Sequence, residues 1–228
     1  MAKDHKKKKG ETAEAETAPE LYTTVAHEGV AEFEEKKSVF IGHCARVTTE
    51  EEAAAYVKQL KKQYADARHN VWAYLLRGGI VARYSDDGEP QGTAGVPVLD
   101  VLRKSGAEDV CMVVTRYFGG VLLGTGGLVR AYSQGSKIAL ESGGIVLMQS
   151  CSLCGVSCSY NRYGKVSSLV MENGATIDDT IYESDVKIKF HIPPEQLSQL
   201  NKKLADATSG EVQAESDGES YFMTPLNS

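Results

Sequence analysis

The sequence lacks the features that would direct a chain into or across a membrane. No apolar run approaches the roughly 20 residues that a membrane-spanning helix needs. The first residues are lysine-rich and then acidic, without the apolar core of a secretory signal. We therefore expect a cytoplasmic protein without a membrane partner, whose five cysteines, an odd number, are reduced thiols.

The sequence also lacks an excess of positively charged residues. The 228 residues contain 25 Lys and Arg against 31 Asp and Glu, which gives a net charge of −6. This balance argues against a generally basic nucleic-acid-binding protein. Any contact with a polyanion should be local, and residues 151–228, with six basic and eleven acidic side chains, are a poor place for it.

The sequence does contain a dense polar region over residues 83–132. Its first part, RYSDDGEPQGTAGVP, places Asp86, Asp87 and Glu89 in one predicted turn. Three such carboxylates can hold Mg²⁺ or divide into a general acid and a general base, although the EF-hand spacing is absent. They can also form an Asx-type turn in which Gly88 takes a positive φ, pair with arginines, or contact a partner. We favour the structural or partner-binding role.

The second part of this region, TRYFGGVLLGTGGLVRAY, combines glycines and arginines between a predicted strand and a predicted helix. A helix start offers free N–H groups and a positive dipole end to anions. The known motifs are incomplete, because Thr125 stands where a Walker A loop has lysine and Val129 stands where a dinucleotide loop has glycine. The loop therefore contacts an anion or RNA backbone, forms a nucleotide pocket, or only makes tight turns and close packing.

Taken together, the two parts give a set of candidate ligand-binding residues. The set comprises Arg83, Asp86, Asp87, Glu89, Thr115, Arg116, Gly119, Gly120, Gly124, Gly126, Gly127 and Arg130. No serine lies in the G-x-S-x-G pattern of a nucleophile elbow. The sequence therefore assigns no catalytic residue, no metal ligand and no cofactor.

Histidine and cysteine give weaker signals. His69 precedes a strand that leads to the acidic turn, so it is either a general base or, as we favour, a hydrogen-bonded structural histidine. The spacing of Cys151, Cys154 and Cys158 can suggest zinc. The segment alternates like a strand, however, and we expect these cysteines to be small buried core residues.

The hydrophobic pattern predicts an α+β protein with two domains. A disordered tail over residues 1–20 precedes a first domain over residues 21–150, in which Thr48 or Thr49 should cap a helix. Residues 151–228 alternate as strand, helix, strand, strand, helix, strand. This βαββαβ order is typical of ferredoxin-like domains.

Long stretches of the chain resemble a known family. The segments DDGEPQGTAGVP and VVTRYFGGVLLGTGGLVRAY closely resemble motifs of the Impact/YigZ family, and KKSVFIGHCARV and RHNVWAY resemble its earlier segments. The resemblance covers residues 22–145 for the Impact amino-terminal domain and residues 151–226 for the smaller domain of bacterial members. It implies a first domain with the βαβ fold of elongation factor G domain four and GHMP kinases, and a second domain similar to elongation factor G domain five.

The resemblance also implies a role in translation. Eukaryotic Impact proteins bind the scaffold that activates the initiation-factor kinase in amino-acid starvation, and no catalytic residue is established for the family. We therefore expect a non-enzymatic, translation-associated regulator that binds RNA, the ribosome or a protein partner through the acidic turn and the Gly/Arg-rich loop. The alternatives are an enzyme acting on a nucleotide or phosphorylated ligand, with metal held by Asp86, Asp87 or Glu89, and a pure protein-interaction module.

Overall fold

A computed structural model describes residues 21–224, so the predicted tail over residues 1–20 lies outside the described residues. The described chain has two sheets and five helices, which confirms the α+β class. In this range, no helix has the length and apolar character needed to cross a bilayer. The elements are β1 (Leu21–Val25), β2 (Gly29–Glu35), β3 (Ser38–Arg46), α1 (Glu50–Gln63), β4 (His69–Leu75), β5 (Ala82–Ser85), α2 (Gly95–Ser105), β6 (Val110–Tyr117), α3 (Thr125–Gly143), β7 (Ile145–Cys158), α4 (Tyr160–Glu172), β8 (Thr176–Tyr182), β9 (Val186–Ile192), α5 (Pro194–Thr208) and β10 (Glu215–Thr224).

The first sheet has the strand order β2-β3-β6-β4-β5, and every neighbouring pair is antiparallel. Strands β3 and β4 both run against β6, so they are parallel to each other, and α1 connects them in a βαβ unit. By the same logic β5 and β6 are parallel and α2 connects them. Tyr56 and Leu60 of α1 pack on one face of the sheet, whereas α2 and α3 contribute Leu102 and Tyr132 to the core on the other face.

Helix α1 begins where the sequence predicts. The hydroxyl oxygen of Thr49 accepts a hydrogen bond from the backbone N–H of Glu52 at 3.1 Å. The carboxylate of Glu52 in turn accepts from the backbone N–H of Thr48 at 2.7 Å. This arrangement resembles a capping box in which the carboxylate accepts from the residue before the N-cap, and it confirms the expected cap at Thr49.

The second sheet has the strand order β10-β7-β9-β8, again with antiparallel neighbours. Together with α4 and α5 it follows the predicted βαββαβ order. Val156, Ile188 and Phe190 from the sheet pack against Val170 and Leu200 from the helices. The ferredoxin-like arrangement therefore has its own hydrophobic core.

One long strand joins the two halves of the chain. The first part of β7, Ile145 to Gln149, pairs with β1, so the strand that precedes the first sheet belongs to the second. Next to this strand, the guanidinium of Arg77 lies 3.9 Å from the ring centroid of Tyr22 and 4.4 Å from that of Tyr221. Arg77 also donates to the buried carboxylate of Asp109 at 2.7 Å. These contacts connect the sheets, and the division into domains 21–150 and 151–228 stays a prediction.

Candidate ligand-binding cleft

A cleft of about 470 Å³ opens between the acidic turn after β5 and the glycine loop that joins β6 to α3. The start of β4 forms its floor. The lining residues are Arg68, His69, Gly88, Glu89, Pro90, Arg116, Phe118, Leu122, Leu123, Gly124, Thr125 and Leu128. The structure thus brings together both halves of the polar region over residues 83–132.

Glu89 is the centre of a buried polar network below the cleft. Its Oε1 atom accepts hydrogen bonds from Arg116 Nη1 at 2.6 Å and from the hydroxyl of Tyr132 at 2.8 Å. His69 Nε2 lies 3.8 Å from the same oxygen. Burial, followed by the charge of Glu89, raises the pKa of Tyr132 far above its usual range, so this hydroxyl stays protonated and donates.

Arg116 is the only arginine of the cleft that is buried, with 5% of its surface exposed. Besides Glu89, its Nη2 atom lies 3.5 Å from the hydroxyl oxygen of Ser38, while its Nε atom has no hydrogen-bond partner. The guanidinium carbon lies 5.4 Å from the ring centroid of Phe118. Arg116 therefore has one buried N–H donor without a partner, and burying such a donor is costly.

The other two carboxylates of the acidic turn are committed to the fold. The carboxylate of Asp86 accepts from the backbone N–H groups of Ala94 and Gly95 at 3.0 and 2.8 Å, so it caps the start of α2. The carboxylate of Asp87 accepts from the backbone N–H of Asn70 at 2.6 Å and pairs with Lys61 at 2.5 Å.

The acidic turn also has the predicted backbone geometry. Gly88 takes the positive φ of 86° that an Asx-type turn favours. Among the described residues, no group of three His, Cys, Asp or Glu side chains is placed to hold a metal ion.

The glycines of the loop have two kinds of role. A Cβ on Gly119 would collide with the backbone carbonyl of Lys37, and a Cβ on Gly127 would lie 2.9 Å from the side chain of Leu123, so both permit close packing. Gly120 and Gly124 instead have positive φ values of 83° and 72°, which only glycine adopts easily.

Of the second pair of glycines, Gly124 lies at the start of α3. Gly124 precedes the helix at Thr125, and no side chain caps the helix start. Gly124 and Thr125 both line the cleft. The positive end of the helix dipole and its first free N–H groups therefore meet the cleft.

The mouth of the cleft is apolar, and its apolar residues are not among the site residues predicted from the sequence. Phe118 is 42% exposed and Leu122 is 82% exposed, although both are large hydrophobic residues. Arg68 and Pro90 line the same space. The available signal was FGGVLLGTGG, in which a phenylalanine precedes two glycines and the apolar segment VLL is enclosed by glycines, because an apolar side chain that a short loop cannot bury must face solvent or a ligand.

His69 has a defined tautomer in this environment. Its Nδ1 atom lies 2.8 Å from the backbone carbonyl oxygen of Asp87, and a carbonyl only accepts, so Nδ1 carries a proton. This contact fixes the ring and leaves Nε2 facing Glu89. The hydrogen-bonded structural histidine that we favoured from the sequence is consistent with this geometry.

Several candidate residues lie away from the cleft. Thr115 is buried and its hydroxyl donates to the side-chain oxygen of Asn70 at 2.7 Å. Arg83 is exposed on β5, with its Nε atom 3.8 Å from a carboxylate oxygen of Glu50. Arg130 lines a neighbouring groove on the outer side of α3. The cysteines Cys151, Cys154 and Cys158 are free and buried, as expected of core residues.

The fold and the cleft define a class: a mixed α+β protein with a three-layer first unit, a ferredoxin-like second unit, and a cleft over an Arg–Glu pair. Residues 36–140 match the family model described as the Impact N-terminal domain, and residues 156–211 match the model described as Domain of unknown function (DUF1949). The chain belongs to the IMPACT family.

Individual relatives extend the similarity over most of the chain. "IMPACT family member YvyE" of Bacillus subtilis (strain 168) is 34% identical over 207 residues, which cover 90% of this chain and 95% of the relative. "IMPACT family member YigZ" of Escherichia coli (strain K12) is 34% identical over 181 residues, with coverages of 78% and 89%. A solved structure titled "Crystal structure of an hypothetical protein" has 32% identity and a TM-score of 0.56, and it covers 86% of this chain and 97% of that one.

Proposed function

We propose that this chain is a non-enzymatic, translation-associated protein that binds a nucleotide of single-stranded RNA in the cleft. The observation that carries the proposal is the exposed ring of Phe118, which stands beside the uncapped start of α3 and above the buried guanidinium of Arg116. Single-stranded RNA is recognised by stacking of splayed bases on aromatic side chains, with phosphates held by cations and free N–H groups.

Each part of a nucleotide has a partner of suitable chemistry in the cleft. The base stacks on Phe118 and contacts the apolar side chains of Leu122 and Pro90. The phosphate accepts hydrogen bonds from the first N–H groups of α3, where the helix dipole favours negative charge. Arg68, exposed at the edge of the cleft, supplies a further positive charge.

A binding role accounts for the carboxylates better than metal-dependent chemistry does. Asp86 caps α2, Asp87 binds Lys61 and a backbone N–H, and Glu89 neutralises Arg116. Each group therefore has a structural task, and none presents a free pair of oxygens beside another carboxylate. The link to translation rests on the IMPACT family, whose eukaryotic members are expected to act in translational control.

The proposal is tested by titrating a fluorescent single-stranded RNA into the full chain. Base–aromatic stacking contributes about 1–3 kcal/mol, so Phe118→Ala should weaken binding by about 5- to 150-fold. Ile80→Ala is the matched control, because Ile80 is 74% exposed at the β4–β5 turn and does not line the cleft. Equal affinities of the wild type and Phe118→Ala, or loss of affinity in Ile80→Ala as well, would argue against the cleft as the RNA site.

A second substitution examines the phosphate contact separately. Thr125 is the first residue of α3, a position that proline accepts, so Thr125→Pro removes one N–H group from the cleft while the helix can still begin there. We expect weaker RNA binding with an unchanged melting temperature. If weaker binding is accompanied by a lower melting temperature, the substitution has instead disturbed the helix.

A small phosphorylated ligand is the second candidate, favoured by the size of the cleft. A volume of about 470 Å³ falls in the range of pockets for small molecules and cofactors. A thermal-shift screen with nucleotides, with and without Mg²⁺, tests this reading, because a ligand that binds the folded state raises the melting temperature. A large shift with a mononucleotide and none with RNA would favour an enzyme-like role over the RNA-binding one.

A further inference from the structure

A second groove of about 480 Å³ adjoins the cleft. It lies along the outer side of α3, next to the turn between β2 and β3, and Leu123 lines both spaces. Its other lining residues are Phe33, Glu35, Lys36, Gly127, Val129, Arg130, Ala131, Ser133, Gln134 and Lys137. The two spaces are therefore separated only by the glycine loop and its leucine.

The groove is basic although the whole chain is acidic. Lys36, Arg130 and Lys137 line it, and within residues 21–224 none of the three makes an ion pair. Glu35 is the one carboxylate in its lining. Side chains alternate along a strand, so Glu34 of β2 points to the opposite face of the sheet from Glu35. Three cations therefore face one anion here.

The spacing of these cations suits a nucleic-acid strand. Arg130 and Lys137 are seven residues apart on α3, which places them about 10 Å apart along the helix axis. That length corresponds to about three nucleotides of a stacked strand at roughly 3.4 Å each. Phe33 and Val129 add apolar surface between the charges.

We propose that a single strand of RNA leaves the cleft, crosses Leu123 and continues along this groove, where Arg130 and Lys137 hold backbone phosphates about three nucleotides apart and Lys36 holds a further phosphate. The inference rests on the proposed function, because the cleft holds the first nucleotide of the path. It predicts a binding site several nucleotides long. A dinucleotide should occupy only the cleft, whereas a ten-nucleotide strand should occupy both the cleft and the groove.

The test uses RNA of two lengths on the full chain. Binding of a dinucleotide is followed by NMR titration, and binding of a ten-nucleotide strand by fluorescence anisotropy at several salt concentrations. The groove variant is Arg130→Gln with Lys137→Gln, both at exposed positions that should leave the fold intact. The matched control is Lys58→Gln, an exposed lysine of α1 on the opposite face of the first sheet.

The groove variant should weaken binding of the long strand by about 2- to 30-fold, with no change for the dinucleotide. Removing two phosphate contacts should also reduce the slope of log affinity against log salt by about 1.4, since each contact on a single strand contributes about 0.7. Lys58→Gln should bind both lengths like the wild type.

Other outcomes overturn the inference in distinguishable ways. If the groove variant binds the long strand with unchanged affinity and salt slope, the path is wrong while the cleft remains. If the variant weakens both lengths equally, the cations act on the cleft and not along a path. If neither length binds the wild type, the proposed function fails together with the path. Equal competition by a polyglutamate peptide would mark a general polyanion site and refute the RNA assignment.

Discussion

Breaking the ion pair between Glu89 and Arg116 should destabilise the first unit, and Glu89→Gln tests this with little change in shape. Both side chains are almost fully buried, and the joined atoms lie 2.6 Å apart. At an effective dielectric constant of about 20, the direct attraction at this distance is about 6 kcal/mol. Removing one partner leaves the other charge buried, which typically costs about 3–5 kcal/mol. Because glutamine still accepts hydrogen bonds, we expect about 3 kcal/mol.

The measurement is urea unfolding followed by the fluorescence of Trp72, which lies on β4 in the same sheet as Arg116 and packs on the face that α1 covers. With a slope of about 2–3 kcal/mol per molar, a loss of 3 kcal/mol lowers the midpoint by about 1 M. Arg116→Met should cost a similar amount, because it leaves Glu89 unpaired. The double variant should lose less than the sum of the single variants, with a coupling energy of at least about 2 kcal/mol. A loss below about 1 kcal/mol for Glu89→Gln, or strict additivity in the double variant, would refute the view of a mutually dependent buried pair.

Three further predictions concern the fold around the cleft. Asp86→Ala removes the cap of α2 and should lower the free energy of unfolding by about 1–2 kcal/mol, measured by the same urea titration, with no loss if the cap is unimportant. Gly119→Ala forces a Cβ onto the backbone of Lys37 and should lower the melting temperature by several degrees, whereas Gly126→Ala, with 3.6 Å to the nearest atom, should change it little; equal effects would contradict this packing. Burial lowers the pKa of His43 to about 4, so the unfolded chain, whose histidine pKa is about 6.5, takes up the proton first as the pH falls. The protein should therefore lose about 2 kcal/mol of stability between pH 7 and pH 5, and His43→Gln should remove most of that loss; an unchanged pH dependence in the variant would assign it to other groups.

Local patterns predicted the features that local physics decides. The cap at Thr49, the positive φ of Gly88 and the βαββαβ order of residues 151–228 each depend on neighbours within one or two elements. The βαβ character of the first unit agrees with what the family resemblance implies. The family resemblance also implied that the acidic turn and the Gly/Arg-rich loop belong together, and both line the cleft.

Contacts between residues that are distant in the sequence could not be predicted from local patterns. Asp86 caps a helix that begins nine residues later, and Glu89 pairs with Arg116, 27 residues further along the chain, and not with Arg83 or Arg130. Nothing in the local pattern of Leu21–Val25 shows that this strand pairs with β7, more than one hundred residues away. An exposed leucine is also common on protein surfaces, so the apolar mouth of the cleft could not be recognised from composition alone.

Because β7 lies between β1 and β10, the first and the last described strands lie close together in space. Leu21 pairs with Gln149 on one side of β7, and Thr224 pairs with Leu147 on the other. The two ends of the described range therefore lie only two strand spacings apart, about 10 Å. A linker of a few residues would join them into a ring, and a new opening could be made at the exposed turn of Gly78 and Gly79. Since both end strands are held by the same strand, pulling one away would also remove support from the other.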